Sequence, residues 1–210
     1  MARKNREWYP GAIYHVMNRG NRKALIYQDE GDCLYFLNMV KTVKRTYPFT
    51  VHSICLMRNH FHIELETEAV EPGKIMSKIL TPYSMFYNRK YSLNGHLFGG
   101  RYKSSLIESD AYFLEVSRYI HMNPVKAKMV KSPLDYEYSS YSLYVSDKDT
   151  RDKNIIEKTI EDIVDTSRIL DCFGNDRDRY RAFVEGAQTH DESEKLIMKD
   201  IGEDELWLPR

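Results

Sequence analysis

The sequence predicts an α+β fold, a ferredoxin-like or RRM-like sandwich with an antiparallel sheet, its elements running βαββαβα ahead of a helical acidic extension. Three observations predict it. A near-continuous apolar run, FTVHSICLM at 49–57, is followed after Arg58-Asn59 by a segment of clean period-2 alternation at 60–66, as in a hairpin. Segments of helical period lie on both sides of that hairpin. A further strand-like segment lies near either end of the first 125 or so residues, at 12–18 and before 107.

Taken in order, residues 12–18 (AIYHVMN) alternate enough to form the first strand, closed by the turn signal Arg19-Gly20-Asn21. From about 29 to 45 the period becomes helical: Leu34, Leu37, Val40 and Lys44 fall on successive turns. Asp29, Glu30 and Asp32 sit at the positive end of that helix dipole, and Pro48 ends the segment. The run at 49–57 is β-branched and apolar, as for a central strand. In the strand at 60–66, Phe61, Ile63 and Leu65 occupy one face; His60, His62, Glu64 and Glu66 occupy the other. This alternation predicts one buried and one solvated face.

A second helix is expected over 72–91, with Ile75, Ile79 and Phe86 among its apolar positions and Pro82 as a kink point. The stretch GHLFGGRYKSSLI, 95–107, mixes glycines with a basic pair and ends as a short strand. Ser109 or Asp110 can cap a third helix over 111–122. Pro124 disfavours the α region at Asn123, which therefore marks an end or a kink. After Tyr144 the charged SDKDTRDKN reads as a linker, followed by helices over 155–170 and 176–188 and a frayed acidic tail. The chain thus divides into a domain at 1–146 and an acidic, mainly helical extension at 147–210.

A chain of 210 residues can bury a core of its own. No apolar run is long enough to span a bilayer, so no membrane association is expected. The opening MARKNREWYP lacks the apolar stretch of a secretory signal. Cys33, Cys55 and Cys172 are far apart and lack CxxC spacing, which argues against a disulfide framework or a cysteine zinc site and for a reducing cytoplasm. The zero formal net charge hides a division: residues 1–131 hold 20 Lys/Arg against 11 Asp/Glu, and residues 132–210 hold 11 against 20. The basic part can attract a polyanion through its phosphates; two solvated faces of opposite sign are the simpler reading.

The segment RNHFHIELE, 58–66, raises the question of chemistry. Residues i and i+2 of a strand point the same way, roughly 6.6 Å apart, so His60 and His62 can converge on one ion. Two incidental histidines on one strand face need no ion, and the pair alone does not choose. On the third helix, Phe113, Val116 and Ile120 make an apolar stripe, and Tyr112, Glu115, Tyr119 and Asn123 lie beside it. Tyr119 and Asn123, one turn apart, can reach one small volume, as nucleophile and as oxygen donor to a hard cation. Equally, Tyr119 suits an amphipathic border and Asn123 a cap before Pro124.

With those motifs in view, the sequence resembles the HUH single-tyrosine transposases, most closely the REP-associated tyrosine transposases. The pieces that carry the resemblance are YHVMNRGNRK, MRNHFHIEL, FGGRYKSSLIES and YIHMNPVKAKMV, in that order and followed by YEYSSYSLY. The resemblance implies that His60 and His62 hold a divalent metal, Mg²⁺ or Mn²⁺, with Asn123 completing the site. It implies that Tyr119 is the nucleophile that cuts single-stranded DNA beside a hairpin, leaving a 5′-phosphotyrosine and a free 3′-hydroxyl that can rejoin without ATP. A free tyrosine is only about 0.1 percent phenolate at neutral pH, a shortfall of roughly 4 kcal/mol, which an adjacent cation and an aligned phosphate help to offset. Relatives act as monomers or as homodimers that exchange the tyrosine helix.

Arg19, Arg22, Lys23 and Arg58 flank the strand ends, Arg101 and Lys103 bracket Tyr102, and Lys126 follows the nucleophile helix. Charge for phosphates interleaved with a ring for a base suits a single strand. His15, His52, His96, His121 and His190 read as structural or exposed. The rivals are a non-catalytic RRM-like nucleic-acid binder, which needs stacking aromatics on its central strands, a zinc hydrolase, which needs further close His or Asp ligands, and a replication or conjugation nickase sharing the HUH chemistry.

Overall fold

The computed structural model describes residues 7–146, 153–186 and 191–200. Strands β1 (Ile13–Arg19), β2 (Phe49–Met57), β3 (His60–Thr67) and β4 (Lys103–Ile107) form one antiparallel sheet in the order β2-β3-β1-β4. Helix α1 (Glu30–Thr46) joins β1 to β2, α2 (Pro72–Lys90) joins β3 to β4, and α3 (Asp110–Lys126) follows β4. The order βαββαβα expected from the pattern is the order observed.

Local chemistry accounts for the helix starts. Asp29 Oδ1 accepts the Asp32 N–H at 3.1 Å while Asp32 Oδ2 accepts the Asp29 N–H at 3.3 Å, a reciprocal capping box. Lys90, in the last turn of α2, places its ammonium 2.7 Å from both carboxylates, tying the negative end of α2 to the positive end of α1. Ser109 Oγ accepts from the Tyr112 N–H at 3.2 Å and caps α3.

Helices cover both faces of the sheet. On one face Phe36, Leu37 and Val40 of α1 and Ile75, Ile79 and Tyr83 of α2 pack on Val16, Ile54, Leu56, Phe61, Ile63 and Leu65. On the other face Phe113, Val116 and Ile120 of α3 pack with Ile13, Met17, Cys55 and Met57. The expectation that the even-numbered face of β3 is solvated is therefore corrected. His60, His62 and Glu64 are 3, 0 and 0 % exposed because α3 lies across them. The alternation in β3 separates an apolar interlayer from a polar one, not core from water.

Two element boundaries differ from expectation. Helix α3 continues through Pro124 to Lys126, since proline removes only its own N–H from the ladder; Ala127 N–H still reaches the Asn123 carbonyl at 2.9 Å, and Pro124 is buried in the packing. The single helix expected over 155–170 is two, α5 (Ile155–Glu161) and α6 (Ser167–Cys172), beyond the short α4 (Tyr141–Val145). Between them Asp165 N–H donates to the Val51 carbonyl at 2.9 Å, and Ser140 N–H and Leu56 N–H bond across β2 to Ile54 and Tyr138. An edge strand with unpaired backbone groups is satisfied by these pieces of chain, which the helical pattern cannot anticipate.

Helices α7 (Arg177–Glu185) and α8 (Asp191–Asp200) follow; α8 lies where only a tail was expected. Most of the linker read at 146–154, and the end of the acidic tail from 201, lie outside the described residues. The helices after 153 share both cores: Ile156 and Ile160 join the α1–α2 side, and Ile169, Leu170, Tyr180, Val184 and Ile197 join the α3 side. Among the described residues no helix is long and apolar enough to cross a membrane.

Candidate active site

The interlayer between α3 and the sheet gathers imidazoles around one phenol. The β3 alternation brings His60 and His62 to the same face, with ring centroids 5.0 Å apart. Tyr119, on the buried side of α3 and 5 % exposed, meets His62 edge-on at 5.5 Å between ring centroids. A third imidazole joins them from β1. His15 lies opposite Glu64 in the register, diagonal to His62, with its Nε2 2.9 Å from His62 Nδ1 and its ring stacked on His62 at 5.1 Å. His15 also meets Tyr119 at 5.7 Å.

Burial keeps this cluster neutral. His15 and His60 are held down to about 3 by desolvation, with Arg19 adding repulsion at His60. His62 lies well below the ordinary histidine range, first from burial and then from His60, His15 and Lys126. Burial raises the Glu64 carboxyl well above its usual range. Asn59 Oδ1 lies 2.7 Å from His60 Nδ1; an amide oxygen only accepts, so the proton of His60 sits on Nδ1 and the lone pair on Nε2. His62 Nε2 is buried and has no hydrogen-bond partner among the described residues.

Asn123 stands one turn after Tyr119, and its Nδ2 donates to the Tyr119 carbonyl at 2.8 Å, a bond that does not engage its amide oxygen. The ammonium of Lys126 lies 4.9 Å from the centroid of the Tyr119 ring. Thus His60, His62 and Tyr119 meet in one interlayer, with Asn123 and Lys126 on the same helix as the phenol. Two neutral imidazoles whose Nδ1 atoms are already engaged, with an amide oxygen nearby in sequence, are a donor set that fits a divalent cation. Among the described residues no group of three or more His, Cys, Asp or Glu side chains is arranged around one ion position, so the zinc-hydrolase ligand set is not met.

The helix that carries Tyr119 is locked by a buried polar chain. Tyr180 of α7 shares its hydroxyl with Ser117 Oγ at 2.7 Å and His121 Nδ1 at 2.8 Å, residues two positions either side of Tyr119. Ser117 continues to Ser53 at 3.0 Å and Ser53 to Glu64 at 2.9 Å, while His121 Nε2 reaches Ser140 Oγ at 2.8 Å.

The residues expected to contact DNA are placed unequally. Arg22 and Lys23 are exposed on a short 3-10 turn, Asn21–Lys23, and Arg58 is exposed in the β2–β3 turn. Arg19, half-buried at the end of β1, pairs in register with His60. Gly20 beside it is sterically required: a Cβ there meets the Ala24 carbonyl oxygen at 2.0 Å, and its N–H bonds the Asn59 carbonyl at 2.8 Å. Arg101 is exposed and Lys103 half-buried. Tyr102 is the correction in this group. At 5 % exposure it packs into the α1–α2 core, on the sheet face away from Tyr119, and offers no open ring to a base; the alternation between Arg101 and Lys103 turned it inward.

Of the histidines read as structural or exposed, His96 is exposed, His52 and His121 are buried and hydrogen-bonded, and His190 lies outside the described residues. His15, read as structural or exposed, is buried against His62, and Asn59, read as part of the Arg58-Asn59 turn, occupies that turn and faces His60 Nδ1; sequence reasoning did not link either to the histidine pair. The available signal was topological: in a βαββαβ sheet the first strand lies beside the third, which brings the histidine of YHVMN against HFH.

Comparisons with known proteins identify the family and the fold. The family model described as transposase IS200-like matches residues 9–123, spanning β1 to Asn123. A solved structure of a REP-associated tyrosine transposase bound to a REP hairpin is similar to this chain at 19 % identity and a TM-score of 0.58, covering 75 % of this chain and 90 % of that one. That likeness shows the fold. A Deinococcus radiodurans crystal structure assigned as a transposase aligns at 13 % identity and a TM-score of 0.40, over 57 % of this chain and 95 % of that one. No curated protein matches. The family match covers more than half of the chain and every element that builds the histidine–tyrosine interlayer, so this protein belongs to the IS200-like transposase family.

Proposed function

We propose that this transposase cuts and rejoins single-stranded DNA next to hairpins, with Tyr119 as nucleophile and a divalent metal at His60, His62 and Asn123. The observation that carries the proposal is the meeting of a buried phenol with a histidine pair whose Nδ1 atoms are both occupied. Tyr119 Oη forms a bond to the scissile phosphorus as the bond to the 3′-oxygen breaks. The phenolic proton passes in net to the leaving oxygen, giving a 5′-phosphotyrosine and a 3′-hydroxyl. The reverse step, by the same or another 3′-hydroxyl, restores a phosphodiester with no energy source. Bound Mg²⁺ or Mn²⁺ supplies charge stabilisation at the phosphate.

The chain's own groups prepare this step. Lys126, over the Tyr119 ring, favours negative charge developing on the phenol oxygen. Desolvation keeps His60 and His62 unprotonated at neutral pH, the form in which an imidazole coordinates a cation. Arg22, Lys23, Arg58 and Arg101, all exposed, supply phosphate contacts for a single strand. The hairpin bound by the similar solved protein supports a hairpin partner here. The non-catalytic RRM-like alternative is disfavoured by the sheet. Both faces are roofed by helices, and the exposed large rings among the described residues, Trp8 and Tyr9, stand before β1, not on a strand.

The test is covalent trapping. The protein is incubated with end-labelled hairpin DNA from the flanks of its own gene, with Mn²⁺ or with EDTA. The expected result is a denaturant-stable adduct with the 5′ side of the break, present with Mn²⁺ and absent in EDTA and in Tyr119→Phe. An adduct that survives Tyr119→Phe removes Tyr119 from the role; tight hairpin binding with no adduct under any metal supports the binding-only reading.

A further inference from the structure

We infer that His15 is a positioning residue of the metal site, accepting the Nδ1 proton of His62 so that the His62 Nε2 lone pair faces the cation. The inference rests on the metal-assisted reading above and deepens it by assigning a residue outside the histidine pair and the nucleophile helix.

The geometry ties the tautomer of His62 to that of His15. Its Nδ1 lies 2.9 Å from His15 Nε2, both side chains are fully buried, and the rings are stacked with 28° between their planes. One proton is shared across that contact, so two arrangements exist. If His15 donates, His62 carries its proton on Nε2, a buried donor with nothing to accept it among the described residues. If His62 donates, its Nε2 carries a lone pair, which a cation satisfies, and the orphaned N–H passes to His15 Nδ1, equally buried and with no acceptor among the described residues; the cation is what separates the two arrangements.

His60 already has the second polarity, because its Nδ1 faces the Asn59 oxygen. With His15 as acceptor, both histidines present Nε2, and the rings, 5.0 Å apart, work as a pair. A neutral acceptor also suits the position. His15 stands opposite Glu64 in the strand register, where a carboxylate would bring a second acid into a dry interlayer. Ligand histidines are commonly fixed by an acceptor on the ring nitrogen away from the metal, and loss of such an acceptor weakens metal affinity about 10–100-fold.

The experiment measures Mn²⁺ binding by the full chain without DNA, from the electron paramagnetic resonance signal of free Mn²⁺ at pH 7.5. Wild type, His62→Ala, His15→Leu, His15→Gln and His15→Asn are compared, with thermal melts in EDTA. The glutamine amide reaches the place of Nε2 and the asparagine amide stops at that of Nδ1. The expected result is one Mn²⁺ site abolished in His62→Ala, weakened about 10–100-fold in His15→Leu and His15→Asn, and largely restored in His15→Gln. The glutamine–asparagine contrast keeps the test decisive if the leucine variant does not fold. Equal affinity across the three His15 variants and wild type overturns the inference and leaves the metal reading standing. Equally weak binding by the glutamine and asparagine variants also overturns it, since packing alone then accounts for His15. Absence of any His62-dependent Mn²⁺ site in wild type overturns both.

Discussion

Removing one oxygen atom from α7 is expected to destabilise the helix that carries Tyr119. In Tyr180→Phe the ring stays in its aromatic packing, 4.8 Å from Tyr144 and 5.3 Å from Phe173, so the substitution isolates the hydroxyl. That hydroxyl serves two buried partners on α3. Ser117 keeps its bond to Ser53, but His121 Nδ1 loses its partner at 0 % exposure. A lost net hydrogen bond together with one orphaned buried polar atom costs about 2–3 kcal/mol. For a chain of this size that corresponds to a fall of roughly 5–10 °C in melting temperature. Tyr141→Phe is the matched control: its hydroxyl bonds Glu185, an exposed carboxylate that water can resolvate, so a cost below about 1 kcal/mol is expected. Urea unfolding followed by circular dichroism measures both. The double variant Tyr180→Phe, Ser117→Ala should cost less than the sum of its parts, because both changes act on one chain of hydrogen bonds. A Tyr180→Phe midpoint equal to wild type, or strict additivity in the double variant, refutes the argument that α7 and α3 share a polar lock.

Further outcomes follow from the same structure. His15, His60 and His121 are held down to about 3 in the fold against about 6.5 in an unfolded chain, so below pH 6.5 the unfolded state binds more protons. Metal-free protein should lose up to about 1.4 kcal/mol per pH unit per histidine as pH falls from 6.5 to 3, with the raised Glu64 carboxyl offsetting one histidine's share above its ordinary range; flat urea midpoints from pH 7 to 5 contradict this. Among the three cysteines, exposed Cys172 should react promptly with a thiol reagent, while buried Cys33, its thiol pushed up to about 12, and Cys55 react only on unfolding; three fast equivalents per native chain contradict the core. Arg101→Ala should weaken single-stranded DNA binding and reduce the magnitude of the salt slope by about 0.7, read from binding isotherms at several salt concentrations. Tyr102→Ala should lower the melting temperature through its core cavity, whereas Tyr102→Phe should leave DNA affinity unchanged; a loss of affinity in the phenylalanine variant contradicts the buried placement.

What was legible in the sequence follows the range of the interaction that decides it. His60 and His62 are two apart, and Tyr119 and Asn123 four apart; strand and helix periods alone put each pair on one face. The βαββαβα order was legible for the same reason, since each period persists within its own element. The solvated face assigned to β3 was wrong because alternation reports polarity, and polarity beneath α3 belongs to a buried hydrogen-bonded layer running from Glu64 through Ser53 and Ser117 to Tyr180. That layer joins residues 11, 64 and 63 positions apart, distances at which no local pattern operates. The break between α5 and α6 is non-local as well, because the edge of β2 needs the Asp165 N–H.

His15 shows why this division matters for chemistry. It lies 47 positions before its partner and touches it through a diagonal of the β1–β3 register, which a one-residue slip would abolish by turning the imidazole to the opposite face. The pairs proposed as metal and nucleophile residues on β3 and α3 are set by spacing within one element, but the contact that fixes the His62 tautomer depends on how two strands align. Gly20 makes that alignment a local matter again. It donates to the Asn59 carbonyl at the end of β1 nearest His60, in a turn that admits no Cβ, and so fixes the register from which His15 meets His62. A side chain at Gly20 meets backbone at Ala24, so it should shift the turn and, with it, the register that brings His15 to His62.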